Sequence, residues 1–302
     1  MSESRRGLLF GVAAYTMWGA FPLYWPLLKP AGAMEILAHR VLWSAVVMGL
    51  LVVALRRRAA FAAILRDRRR LLILSGAAAV ISVNWLTYIW AVNHDRVVES
   101  SLGYFINPLV SVLMGIVVLG ERLRREQWVA VAVAVAAVGV LTIDYGRVPW
   151  VALVLACSFG TYGLAKKVAG VGAVESLSFE TVVIAPVAAA YLGWLISHGD
   201  STFAGEGVGH ALLLASTGLV TAIPLICFGA AATRIPLVTL GLLQYLAPVF
   251  QFALGVWWFH EAMPLGRWLG FVLVWLALAL FTVEAWRHRR RQLRLVAETS
   301  AA

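Results

Sequence analysis

A chain of 302 residues that is 62% hydrophobic and only 13% charged is too apolar for a water-soluble domain, in which about a quarter of the residues carry charge. With a mean hydropathy of +0.85, it reads as an integral membrane protein of the all-α class. The net charge of +10 would point a soluble protein toward nucleic acid, but here the basic residues sort by loop, and no nucleic-acid partner is expected.

Ten apolar runs follow one another, at roughly 7–28, 33–55, 71–92, 100–119, 128–144, 149–166, 176–197, 210–232, 236–259 and 268–286. Most are near the roughly 20 residues that a helix needs to cross the hydrocarbon. Short connections at 28–33, 144–149 and 233–235 predict helical hairpins.

The first run follows Arg5-Arg6 as a signal peptide would, yet it is long, aromatic and broken by Pro22 and Pro26, with no small-residue cleavage site. It reads as an uncleaved span carrying Tyr15 and Trp18. In the second run Glu35 and His39 stand at i and i+4 on one helix face, with Arg40 beside them about 10 Å deep. Arg40 either meets an anionic substrate group or is locked in an ion pair with Glu35 or another outer-side carboxylate. Between runs, 56–70 sets Phe61, Ile64 and Leu65 among arginines at helical spacing, which predicts a helix lying on the inner membrane surface.

Run three carries Asn84, Trp85 and Tyr88, and run four Tyr104, Asn107 and Pro108. Glu121 follows, expected to cap the next helix or pair with arginines. Run seven holds Glu180 and Pro186, and the 198–209 connection is expected to be a mobile linker. Run nine holds Gln244, Tyr245, Pro248 and Gln251. Aromatic walls with a few convergent polar groups make a small-molecule pocket, so the expected substrate-binding residues are Tyr15, Trp18, Arg40, Asn84, Trp85, Tyr88, Tyr104, Asn107, Gln244 and Tyr245. Glu35, His39 and Glu180 are expected to gate or couple, with a proton carried by Glu180 or His39. Cys157 and Cys227 read as buried free thiols, and Gly103, Gly115, Gly139, Gly160, Gly163, Gly241 and Gly255 as close-packing positions.

The second half repeats the first. Pro108 and Pro248, Glu121 and Glu261, Trp128 and Trp268, Glu35 and Glu175, and Arg40 and Glu180 each stand 140 positions apart. Since each half holds an odd number of runs, the second enters the membrane inverted, the ground plan of many secondary transporters. This predicts repeats over 1–146 and 147–287 and a basic tail over 288–302. The matched Pro108 and Pro248 are expected to kink helices at the substrate cavity. With the N-terminus inside, twenty lysines and arginines fall in inner segments against four outside, and both termini are cytoplasmic.

The Trp18-Gly19 pair, HRVLWS from His39 to Ser44, NWLTYIWAV from Asn84 to Val92, GYFINPL from Gly103 to Leu109 and LGERL from Leu119 to Leu123 resemble the RarD branch of the EamA group of drug/metabolite transporters. The likeness runs along nearly the whole chain and is sharper in the first half; the second departs from it, with His260 before Glu261 where the first half has glycine. The resemblance implies a ten-helix bacterial inner-membrane transporter of two inverted five-helix repeats. Relatives move small metabolites, amino acids or drugs, often outward.

No GxxxxGK[ST], GxSxG or HExxH motif occurs, so neither nucleotide hydrolysis, intramembrane catalysis nor a metal or other cofactor is expected. Alternating-access transport is the leading expectation, with a flippase for lipid-linked substrates or a membrane sensor as the alternative. The expected partners are a small-molecule substrate, membrane lipid and protons, in a monomer or homodimer.

Overall fold

The computed structural model describes residues 3–119 and 124–301; Glu121 and the cap expected of it lie outside them. Every regular element among the described residues is helical. The helices are α1 (Glu3–Tyr24), α2 (Ala33–Ala54), α3 (Arg58–Arg66), α4 (Arg68–Asn93), α5 (Val97–Leu119), α6 (Arg125–Tyr145), α7 (Trp150–Ala169), α8 (Ala173–His198), α9 (Thr202–Gly205), α10 (Gly207–Ala232), α11 (Leu237–Leu243), α12 (Leu246–Ala253) and α13 (Leu265–Ala301). Nine segments of the described residues are long and apolar enough to cross a membrane. The first predicted span is not among them: it is α1 continued by a 3-10 turn, Trp25–Leu28, and its tyrosines, Trp18 and Pro22 dilute its hydropathy.

The prolines act unequally. Pro22, Pro108, Pro186 and Pro224 sit inside unbroken helices. Around Pro248 the span is broken: α11 stops before Gln244, α12 begins at Leu246, and a π-helical stretch, Leu254–Trp258, follows. A proline removes the N–H that would bond the carbonyl four residues back. For Pro22 that carbonyl is Trp18 O, and Gln251 Nε2 of α12 donates to it at 3.3 Å.

α1 packs on α10 and α12, and α7 packs on α4 and α5 in the same way; α2 packs on α10 as α8 packs on α4. The remaining large interfaces, α2 on α8, α5 on α12 and α6 on α13, join matching helices of the two halves. Exchanging the halves therefore maps this set of contacts onto itself. Because lipid is as apolar as leucine, such helices associate by close van der Waals fit. A Cβ on Gly218 would lie 2.5 Å from the Trp43 backbone, one on Gly103 2.7 Å from Ala152 O, and one on Gly255 2.6 Å from Val98 Cγ2. Gly139, Gly163 and Gly241, expected to do the same, have nothing within 4 Å, because they face away from neighbouring helices. Cys157 is likewise exposed rather than buried, and both thiols are free; on an outward helix face lipid supplies the apolar surroundings.

The connections meet in two groups. Glu99 binds Arg147, Arg267 binds Asp144, and Glu261 accepts from Val97 N and Val98 N, all on one side. On the other side Arg57 meets Glu175, and Arg234 meets Glu3. Each pair joins helix ends that lie on the same side. On that second side 58–66 forms the expected amphipathic helix, α3, with Ile64 packed beside Leu74, Ala169 and Phe179. Asp67 caps α4 by accepting from Arg69 N and Arg70 N. The basic tail is no separate segment, for α13 runs unbroken to Ala301.

Candidate functional site

Arg40 sits on α2 with 4% of its surface exposed. Its guanidinium carbon lies 4.0 Å from the ring centre of Trp85, 5.1 Å from Trp25 and 5.8 Å from Phe21. Its Nε–H donates to Thr221 Oγ1 of α10 at 3.0 Å. No carboxylate among the described residues reaches it. The expected pairing with Glu35 fails for a helical reason: at 100° per residue, positions 35 and 40 point about 140° apart.

Around this cation the polar groups of α4, α5 and α7 are tied together. Tyr104 Oη donates to Asn84 Oδ1 at 3.2 Å, while Asn84 Nδ2 donates to Ser158 Oγ at 2.9 Å and Leu155 O at 3.1 Å. The Tyr88 and Tyr104 rings meet edge to face at 5.7 Å. Trp25 Nε1, Tyr88 Oη and Gln251 Oε1 are buried without a hydrogen-bond partner; Tyr88 Oη lies toward Gln251 but makes no bond of good geometry. Lower on α1, Tyr15 and Trp18 meet edge to face at 5.3 Å and both meet Phe228 of α10. The aromatic residues of α1 thus form a stripe that faces the second half.

Of the residues named from sequence, Arg40, Asn84, Trp85, Tyr88 and Tyr104 converge, and Tyr15 and Trp18 continue the stripe. Tyr245 does not join them: it packs with the cluster of Phe252 and Phe271 and reaches Thr282 of α13. Gln244 ends α11 and makes no contact with Arg40, and Asn107 stands half-buried with Oδ1 unpartnered. Phe21, Trp25 and Thr221 escaped the sequence reading. Trp25, set between Pro22 and Pro26 one helical turn from Phe21, carried the one local signal.

The expected gating residues hold ends of helices. Glu35 accepts from Thr202 N at 2.8 Å, Thr202 Oγ1 at 3.0 Å and Ser201 Oγ at 3.2 Å, and Thr202 Oγ1 also meets His210 Nε2 at 2.9 Å. His39 stacks on Phe203 at 4.7 Å with Nε2 unpartnered. The connection expected to be a mobile linker is therefore pinned through α9. Glu180 accepts from Tyr162 Oη and Lys166 Nζ, each at 2.9 Å. Lys166 also bonds Ser176.

On the side of Glu99 and Glu261 an open cavity of about 460 Å³ is lined by Asp95, Arg96, Glu99, Arg147, Glu261 and Arg267, among others. Burial pushes the Glu261 carboxyl up to about 7, against the two backbone N–H groups that favour its charged form. A carboxyl raised in the folded state adds stability below its ordinary value, and that stability is lost as pH rises toward 7. The thermal midpoint in detergent is expected to fall between pH 5 and 7.5 by more than that of Glu261→Gln, reflecting about 2 kcal/mol. Parallel pH profiles would show that Glu261 titrates normally.

The EamA-like transporter family model matches residues 5–143. The chain is 62% identical over 290 residues to protein RarD of Streptomyces exfoliatus, covering 96% of this chain and 92% of that one. It is 43% identical over 293 residues to the uncharacterized transporter YojE of Bacillus subtilis (strain 168), covering 96% and 97%. A solved crystal structure superposes with a TM-score of 0.59 at 19% identity, over 93% of this chain and 98% of that chain, a likeness of fold.

Proposed function

Because the chain belongs to the RarD branch of the EamA-like transporter family, we propose that it is a secondary transporter that moves a small metabolite or drug-like solute outward across the bacterial inner membrane. Ten spans form two inverted five-helix repeats over 1–146 and 147–287, with both termini cytoplasmic, and the halves rock about the Arg40 region in alternating access. The observation that carries this reading is a buried cation without a carboxylate partner among the described residues, walled by aromatic rings and held between α2 and α4 of one half and α10 of the other. An ionisable group at such depth is costly and marks a solute path by default.

The exchange symmetry of the helix contacts supports the rocking motion. Glu35 and Glu261 hold the outer ends and Glu180 with Lys166 the inner ones, so each side has polar links that part when that side opens. Coupling is to the proton gradient, with Glu180 or His39 as the proton carrier, to exchange, or to the substrate gradient alone.

Counterflow in proteoliposomes tests the function. Vesicles loaded with an unlabelled solute are expected to accumulate the labelled one several-fold above protein-free vesicles for at least one class among aromatic acids, amines, amino acids and neutral amphiphiles. No accumulation of any class would sink the transport reading.

A further inference from the structure

We propose that the Arg40 region recognises a monocarboxylate attached to a planar apolar body, with Arg40 as counter-charge and Trp25 and Tyr88 as supporting donors. This rests on the transport reading above and names its substrate class. Four partly buried cations among the described residues meet acids: Arg147 has Glu99, Arg267 has Asp144, Lys166 has Glu180, and Arg124 has Glu284. Arg40 is more deeply buried than any of these and has a threonine hydroxyl and three ring faces. A guanidinium carries five N–H donors, and of these only Nε–H has an acceptor among the described residues.

The neighbours add more donors than acceptors, the unpartnered acceptor beside Tyr88 being Gln251 Oε1. Indole Nε1–H can only donate, yet Trp25 Nε1 is buried with no partner, on a ring 5.1 Å from the guanidinium. The Tyr88 hydroxyl is also without a hydrogen-bond partner among the described residues, on a ring packed in the same cluster as Phe21 and Trp25. Leaving buried donors unmet costs free energy that a matching ligand recovers. What balances one guanidinium and two neutral donors is one negative charge with lone pairs on two oxygens, the pattern of a carboxylate. A dianion would leave one charge uncompensated in a dry site. Phe21, Trp85 and Tyr104 offer ring faces and edges, which suit a flat apolar body rather than a sugar or a peptide.

The test uses the full chain in detergent and in proteoliposomes with matched probes: phenylacetate against phenylacetamide, and indole-3-acetate against indole-3-acetamide, with phenethylamine as the cation. Each acid is expected to bind at least ten-fold more tightly than its amide, read by thermal shift and by counterflow. Arg40→Gln is expected to erase that preference, and Trp25→Phe and Tyr88→Phe each to weaken acid binding three- to ten-fold and amide binding by less, since the neutral carbonyl is the weaker acceptor. If Arg40→Gln does not elute as a folded species, the Trp25 and Tyr88 variants decide. Equal binding of acid and amide, or an acid preference that survives in Arg40→Gln, overturns the proposal. Counterflow of phenethylamine or an amide without the acids overturns the substrate class and leaves transport standing; no movement of any probe or other solute class overturns both.

Discussion

Glu180→Leu is expected to lower the unfolding free energy in detergent by about 2–4 kcal/mol, measured by denaturant titration. The Glu180 side chain is 1% exposed and holds Lys166, itself 21% exposed, together with the Tyr162 hydroxyl. Removing the carboxylate leaves an ammonium and a phenol facing apolar helix surfaces. Stranding one member of a fully buried pair costs about 3–5 kcal/mol, and the partial exposure of Lys166 trims that figure. Glu180→Leu with Lys166→Met is expected to recover most of the loss, since the cost lies in the uncompensated charge rather than in losing the attraction. A single variant as stable as the parent would mean that Lys166 reaches water once released.

Gly218→Val is expected to be the most damaging small substitution in the chain, at about 3 kcal/mol or more. The atoms that its Cβ meets are the carbonyl carbon and oxygen of Trp43, and a helix backbone cannot swing aside as a side chain can. The repair is to push α10 away from α2. Thr221 stands one turn further along the same face of α10, so that shift also breaks its bond to Arg40. A lowered thermal midpoint together with lost acid binding is the expected pair of results. Gly139→Ala on α6, where nothing lies within 4 Å, is expected to be neutral or stabilising by up to about 1 kcal/mol. Equal midpoints for Gly218→Val and the parent would contradict the close approach of α2 and α10.

The spans were legible because length, hydropathy and charged ends are local properties of the chain. The shared face of Glu35 and His39 was legible for the same reason, and both engage the connection carrying α9, whereas the matched prolines pointed equally to two bent spans, of which the one around Pro248 is broken and the one around Pro108 is not. What sequence could not give was the partner across a helix interface. Thr221 is 181 positions from Arg40, and nothing local distinguishes it from Thr217. Tyr245 was misplaced because the interruption at Gln244 turns it toward α13 instead of α1. The close-packing glycines were half right, since a glycine's presence in a span does not say which way its Cα faces.

The link from Gln251 to the Trp18 carbonyl bears on reversibility. Helices joined only by interlocked side chains must lose contacts outright to separate, whereas this link uses a carbonyl that Pro22 has already removed from its own helix ladder. In the rocking motion proposed above, one water on the carbonyl and another on the amide would restore nearly the same enthalpy once α1 and α12 part. That seam would therefore pass between dry and wet without fraying either helix.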